Sequence, residues 1–177
     1  MACFPADGPR GDGRLDEDRA VAGLIVRPAS FEDVEAIAAV QEAAGRQAHR
    51  EGWRRAIADE DRLLLVAEEH ELRLIVGWAQ TYHHREPRDE APAGHYLGGV
   101  TVHPDHRRRG VAVALTDTRL SWLAERTSEA FYVVNPSNRA SIDLHERWGF
   151  AEVLRAPRLT GVTFSGGVGT LMRADLR

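Results

Sequence analysis

The feature that most constrains this chain is the run Arg107-Arg108-Arg109-Gly110-Val111-Ala112, placed between two segments of different periodicity. Upstream, His95–His103 (HYLGGVTVH) is rich in Tyr, Leu, Val and Thr and has the composition of a strand. Downstream, Val111, Leu115, Thr118 and Trp122 recur at spacings of four, three and four, one face of a helix. The Arg/Gly run is therefore the turn at a strand-to-helix junction. The first amides of a helix lack intrahelical acceptors, and the helix dipole makes that end positive. Gly110 carries no side chain, so an anion can come close to the backbone there. Three arginines add charge, and a phosphate-bearing ligand is the natural occupant.

The same junction resembles a signature of the GCN5-related N-acetyltransferases (GNAT family), Arg/Gln-x-x-Gly-x-Gly/Ala after a central strand. Arg107, Gly110 and Ala112 match its three positions, and Val102-His103-Pro104 resembles the usual approach to it. A second block, Asn138-x-x-Ser141-Ile142-x-Leu144-His145-x-x-x-Gly149-Phe150, is similar to the family's Asn-x-x-Ala/Ser-x-x-x-Tyr-x-x-x-Gly-Phe segment. His145 stands where many members have Tyr. The likeness spans Tyr96 to Glu152 and is looser before that.

The resemblance implies a mixed α/β fold. Its twisted sheet has about seven mostly antiparallel strands, flanked by about four helices, and its central parallel strands splay apart. It implies acetyl-CoA as co-substrate, with pantetheine pairing along the His95–His103 strand at Val100, Thr101 and Val102. The pyrophosphate would lie on Arg107, Arg108, Arg109, Gly110, Val111 and Ala112, and Asn138 and Ser141 would touch the other side of the CoA arm. It further implies direct attack of a primary amine, with no covalent acyl-enzyme. His145 is then the candidate general acid, with Glu68, His95 or Tyr96 as anchors of a proton relay. The acceptor, a small molecule or a peptide amine, is not readable, and a homodimer is compatible with the pattern. The alternative is a catalytically degenerate CoA-binding module, for which the missing Tyr is the support.

Composition removes several other classes. The chain has 23 Lys+Arg against 27 Asp+Glu, a net charge of −4, so a local arginine cluster suits a small polyanion better than nucleic acid. At 177 residues and 43% hydrophobic content it is expected to form one globular domain. No apolar run is long enough to cross a bilayer, and the N-terminus lacks the apolar core of a secretory signal. No membrane role and a cytoplasmic location are the resulting expectations. The single cysteine, Cys3, permits neither an intrachain disulfide nor a cysteine nucleophile within the domain. No metal is expected, because the histidines form no known zinc spacing. Residues 1–22, dense in Pro, Gly, Asp and Arg, are expected to be a flexible tail ahead of a domain at 23–177.

The remaining pattern predicts the element order β-α-α-β-β-β-α-β-α-β-β. A strand at Leu24–Arg27 precedes a helix capped by Ser30 with Asp33, its apolar stripe Val34, Ile37 and Val40 or Gln41. A short helix near Gly52 ends at about Ala58. Arg62–Glu68 and Leu72–Tyr82 form a strand pair. The junction helix is expected over about 108–126, and a strand at Ala130–Val134 and a helix stopping near Gly149 come next. Two terminal strands, Phe150–Leu159 and Val168–Leu176, are expected to be joined by Gly166-Gly167-Val168-Gly169. Gly98-Gly99 is expected to mark a bulge. Trp53, Trp78, Gln80, Tyr82 and Tyr96 are candidates for the acceptor side, whereas Trp122 and Trp148 are assigned to packing.

Overall fold

In a computed structural model, residues 23–176 are described, and the expected tail at 1–22 lies outside them. The first strand, β1 (Leu24–Pro28), leads into a turn in which the Ser30 backbone N–H donates to the Asp33 carboxylate at 2.7 Å. That bond satisfies a donor at the helix entrance. Helix α1 (Val34–Ala43) then buries Val34, Ile37, Ala38, Val40 and Gln41, the stripe its spacing predicts. Helix α2 (Arg50–Ile57) follows and takes Gly52 into its first turn.

Strands β2 (Leu64–Glu69), β3 (Leu74–His84) and β4 (Gly94–Val102) form an antiparallel meander beside β1. After β4 come α3 (Val111–Ala124), β5 (Glu129–Val134), α4 (Arg139–His145), β6 (Ala151–Ala156), the small pair β7 (Arg158–Leu159) and β8 (Val162–Thr163), and β9 (Gly169–Asp175). The main sheet has seven strands in the order β1-β2-β3-β4-β5-β9-β6. All its ladders are antiparallel except β4 with β5, which meet at one residue pair, Tyr96 with Phe131. The two halves of the sheet diverge from that point, so the stretch Leu97–Val102 has no partner on its β5 side.

Helices cover both faces. Trp53 of α2 meets Trp78 of β3 edge-on, 5.3 Å between ring centres, in a cluster with Val34, Ile37 and Val66. Leu115, Leu120 and Leu123 of α3 pack on the opposite face. Burying such side chains contributes about 1.5–3 kcal/mol each.

Two boundaries differ from expectation for local backbone reasons. The junction helix starts at Val111 rather than Arg108, because Arg108 (φ 62°) and Gly110 (φ 81°) are left-handed and cannot begin a right-handed helix. The glycine run at 166–169 does not join two long strands directly. A β7–β8 hairpin turning at Thr160 (φ 51°) and Gly161 (φ 82°) intervenes, and Gly166 and Gly167 lie on the return to β9.

Candidate functional site

The splay opens a cleft of about 1420 Å³ between β4 and β5. Val100, Thr101 and Val102 line it from β4, and their strand edge is open on that side. Unpaired backbone groups along such an edge can pair with an extended ligand as a further strand would. Arg107, Arg108, Gly110, Val111 and Ala112 line one end, at the start of α3. The left-handed residues Arg108 and Gly110 turn the chain there, and successive amides in such a turn form an anion-binding concavity. The Arg107 Nε–H donates back to the Val102 carbonyl at 3.4 Å, which ties the turn to the strand. Arg109 is exposed and does not line the cleft, so of the three arginines it is the one the geometry leaves out. Asn138 and Ser141 form part of the facing wall. The Asn138 carboxamide oxygen caps α4 by accepting from the Ser141 N–H at 3.2 Å.

Gly98 and Gly99 sit where the β3–β4 register shifts, as their sequence suggested. A Cβ at Gly98 would fall 2.5 Å from the Tyr82 ring and 2.8 Å from Gln80 Cγ, so the bulge exists only with glycine there. Behind it lies Arg119 of α3, with none of its surface exposed and no carboxylate partner among the described residues. Its Nη1 donates to the carbonyls of Gln80 and Gly98, both at 3.1 Å, and its Nη2 to Thr116 Oγ1 at 2.9 Å. Burial lowers its pKa to about 9, which leaves it cationic at neutral pH. The arginine thus satisfies carbonyls at the irregular part of the ladder. Replacing it strands them at about 1–3 kcal/mol each, partly offset by removal of a buried charge. Arg119→Met is therefore expected to lower the urea midpoint without changing the slope, and an unchanged midpoint would remove this role.

His145 is 3% exposed on the α4 side of the cleft. Its Nδ1–H donates to the Ser141 carbonyl at 2.7 Å, and Nε2 has no partner. Burial, with a smaller contribution from the Arg119 charge, pulls its pKa down to about 4. A ring protonated at Nδ1 and neutral at pH 7 presents a lone pair at Nε2, so His145 is an acceptor there and not the expected proton donor. The Tyr132 ring stacks on it, 4.4 Å between centres. The Tyr132 hydroxyl is buried, has no partner, and keeps its proton because burial raises its pKa to about 12. A buried donor and a buried acceptor thus stand without partners in one stack at the cleft wall.

Two other candidates have their polar groups engaged within the protein. Tyr96 lines the cleft, but its hydroxyl donates to the Pro92 carbonyl at 2.6 Å, so its proton is committed. Glu68 does not line the cleft, and Arg27 bridges it and Asp33, each at 2.8 Å. His95 stacks on His83 at 4.2 Å, packed on the α3 side against Trp122.

On the other face, Trp53, Trp78, Gln80 and Tyr82 line a chamber of about 610 Å³ beneath α2, although both Trp rings are also core. Tyr82 belongs to the chamber and to the cleft, so the two adjoin. His84, two residues along the same face of β3, also lines the cleft. Its ring is parallel to Tyr82 and edge-on to Tyr96. Burial first, then the charges of Arg88, His83 and Arg62, lower its pKa below 6.5.

Sequence reasoning missed Tyr132, Arg119 and His84. Arg119 left a trace, since it interrupts the apolar row Leu115–Arg119–Leu123 at helical spacing. Tyr132 and His84 left none, because nothing in one strand shows which groups will lack partners.

The acetyltransferase (GNAT) family matches the chain over residues 27–150. Curated proteins yield no match. Among solved structures, the ribosomal-protein-S18-alanine N-acetyltransferase of Escherichia coli shares 18% identity and a TM-score of 0.67, covering 86% of this chain and 94% of its own. YncA of Salmonella typhimurium, solved with acetyl-CoA, shares 23% identity and a TM-score of 0.67, covering 88% and 95%. NAA60 of Arabidopsis thaliana, also solved with acetyl-CoA, gives 16% and 0.67, covering 86% and 98%. These structures share the fold, and the sequence match over most of the domain, together with the splayed sheet and phosphate turn, makes this chain a member of the acetyltransferase (GNAT) family.

Proposed function

We propose that the protein transfers the acetyl group of acetyl-CoA to a primary amine by direct attack, without an acyl-enzyme. The observation that carries this reading is the open β4 edge leading into the anion-binding turn at Arg108–Gly110, with a chamber adjoining from the opposite face. The cofactor arm would run along Val100–Val102, its pyrophosphate on the amides of 110–112 and on Arg107 and Arg108. The C–N bond forms as the C–S bond breaks; an alkylammonium loses one proton before attack and a second as the adduct becomes the acetamide, while the thiolate gains one, so one proton in net leaves to solvent.

A primary alkylamine with pKa near 10.4 costs roughly 4–5 kcal/mol to deprotonate at neutral pH. His84 is suited to accept that proton, since it is neutral at pH 7 and lines the cleft near the chamber. The Tyr132 hydroxyl is suited to protonate the departing thiolate, and the His145 Nε2 lone pair beside it can orient the resulting thiol. Both assignments follow the matching of protonation state to task.

The test is thiol release from acetyl-CoA over a panel of amines, followed against pH. Activity is expected to fall as pH drops through a value below 6.5, where His84 gains its proton, and His84→Ala is expected to lose that acid limb along with about 10²-fold in rate. Acetyl-CoA binding without thiol release from any amine would instead establish a binding module.

A further inference from the structure

The acceptor side carries charge of one sign. Arg62 lines the chamber with its guanidinium 4.5 Å above the Tyr82 ring, and its Nη2 donates to Gln80 Oε1 at 3.2 Å. Arg88 lines the cleft from the opposite direction and lies against the β7–β8 turn. A Cβ at Gly161 would meet its Nη2 at 2.6 Å. Arg62 is thus held against the sheet, whereas Arg88 is exposed at the cleft rim and packs against Gly161.

Each has an acidic neighbour in sequence that is committed elsewhere. Asp61 pairs with Arg85 at 2.6 Å and faces His83 at 3.5 Å. Asp89 accepts from the Gly161 N–H at 2.6 Å and faces Arg158 at 3.6 Å. Among the described residues neither Arg62 nor Arg88 has a carboxylate within 4.0 Å. The two arginines line adjoining spaces that share Tyr82.

The acids lining the two spaces do not balance this. They are Glu51, at the exposed rim, and Asp143, already paired with Arg139 at 3.1 Å. A polycationic amine would meet repulsion with no carboxylate to receive it. Guanidiniums without acidic partners are instead the usual receivers of carboxylate or phosphate groups.

We infer that the acceptor is a small amine carrying an anionic group, a carboxylate or a phosphonate, held between Arg62 and Arg88 with its amino group turned toward His84. This rests on the acetyl-transfer reading. A chamber of about 610 Å³ accommodates a molecule of amino-acid size. The aromatic surface of Tyr82, which lines both spaces, would carry the apolar part of such a molecule. The selectivity has a repulsive part as well as an attractive one, because the same arginines disfavour diamines and polyamines.

The experiment compares matched acceptors with acetyl-CoA as donor and thiol release as the readout. The panel holds L-amino acids against their carboxamides, aminoalkyl phosphonates against the plain alkylamines, one uncharged peptide and spermidine. The anionic member of each pair is expected to have a kcat/KM at least tenfold higher, through KM. The carboxylate and phosphonate arms show which anion is preferred. Arg62→Gln and Arg88→Gln should each shrink that ratio, while acetyl-CoA affinity reports that the cleft stays folded. Equal or better turnover of the carboxamides, spermidine or the uncharged peptide would overturn the inference while leaving acetyl transfer intact. So would an undiminished ratio in both variants. Acetyl-CoA binding with no turnover of any amine would overturn the acetyl-transfer reading itself, and the inference with it.

Discussion

Gly110→Glu is expected to weaken acetyl-CoA binding about 100-fold or more, equivalent to about 2.8 kcal/mol at 1.4 per decade. Gly110 caps α3 with φ 81°, beside left-handed Arg108, at the end of the cleft proposed for pyrophosphate. A glutamate there adds bulk and a like charge where the helix end otherwise favours an anion. It also adds strain, because a side chain in the left-handed region costs about 1–2 kcal/mol. Gly110→Gln carries the same strain and nearly the same bulk without the charge, so the difference between the two variants isolates electrostatics. Calorimetric titration with acetyl-CoA, with thermal midpoints alongside, measures both. Wild-type affinity in a folded Gly110→Glu protein would remove the phosphate assignment.

Tyr132→Phe is expected to lower kcat about 10²-fold, the low end for loss of a general acid, with acetyl-CoA affinity nearly unchanged. The hydroxyl is the one buried donor without a partner that stands against His145 at the cleft wall. His145→Ala tests the competing assignment. With a pKa of about 4, only about one imidazole in a thousand is charged at pH 7, too few to serve as the principal donor. That variant should lose stability, by about 2–4 kcal/mol on the scale of large-to-small core changes, while the folded fraction keeps most of its kcat. His145→Tyr in the Tyr132→Phe background should recover activity, since it returns a hydroxyl to the same stack. Full activity in Tyr132→Phe, together with a kcat loss confined to His145→Ala, would return the acid role to His145.

Several parts of the fold were legible for local reasons. The α1 stripe Val34, Ile37, Val40 and Gln41 is buried as its spacing predicts, because helical period alone selects that face. Gly98 and Gly99 mark the bulge, because only glycine lets the Tyr82 ring lie that close to β4. The start of α3 was misplaced by three residues because composition does not report that Arg108 adopts a left-handed conformation. The β7–β8 hairpin was missed because two-residue strands carry no periodicity.

The candidate site divides along the same line. The turn ahead of α3 was readable as a turn because it is built from consecutive residues. Its arginines could not be ranked, and the structure leaves Arg109 outside the cleft. Protonation states were beyond the sequence altogether. His145 and Tyr96 looked like proton carriers by residue type, and only packing shows the first neutral and the second bonded to Pro92. Glu68 was likewise unreadable until Arg27 was seen against it, 41 positions away in sequence.

By itself, then, the sequence determined the faces of its helices, most of the element order and the presence of a turn at Arg107–Ala112, all governed by spacings within one segment. The tertiary structure decided how the polar groups are engaged: Tyr132 and His145 without partners in one buried stack, Arg62 held over the Tyr82 ring, and Arg88 exposed against Gly161. The physical reason is that pKa, burial and hydrogen-bond satisfaction depend on neighbours distant in sequence, and those neighbours exist only once the sheet has formed.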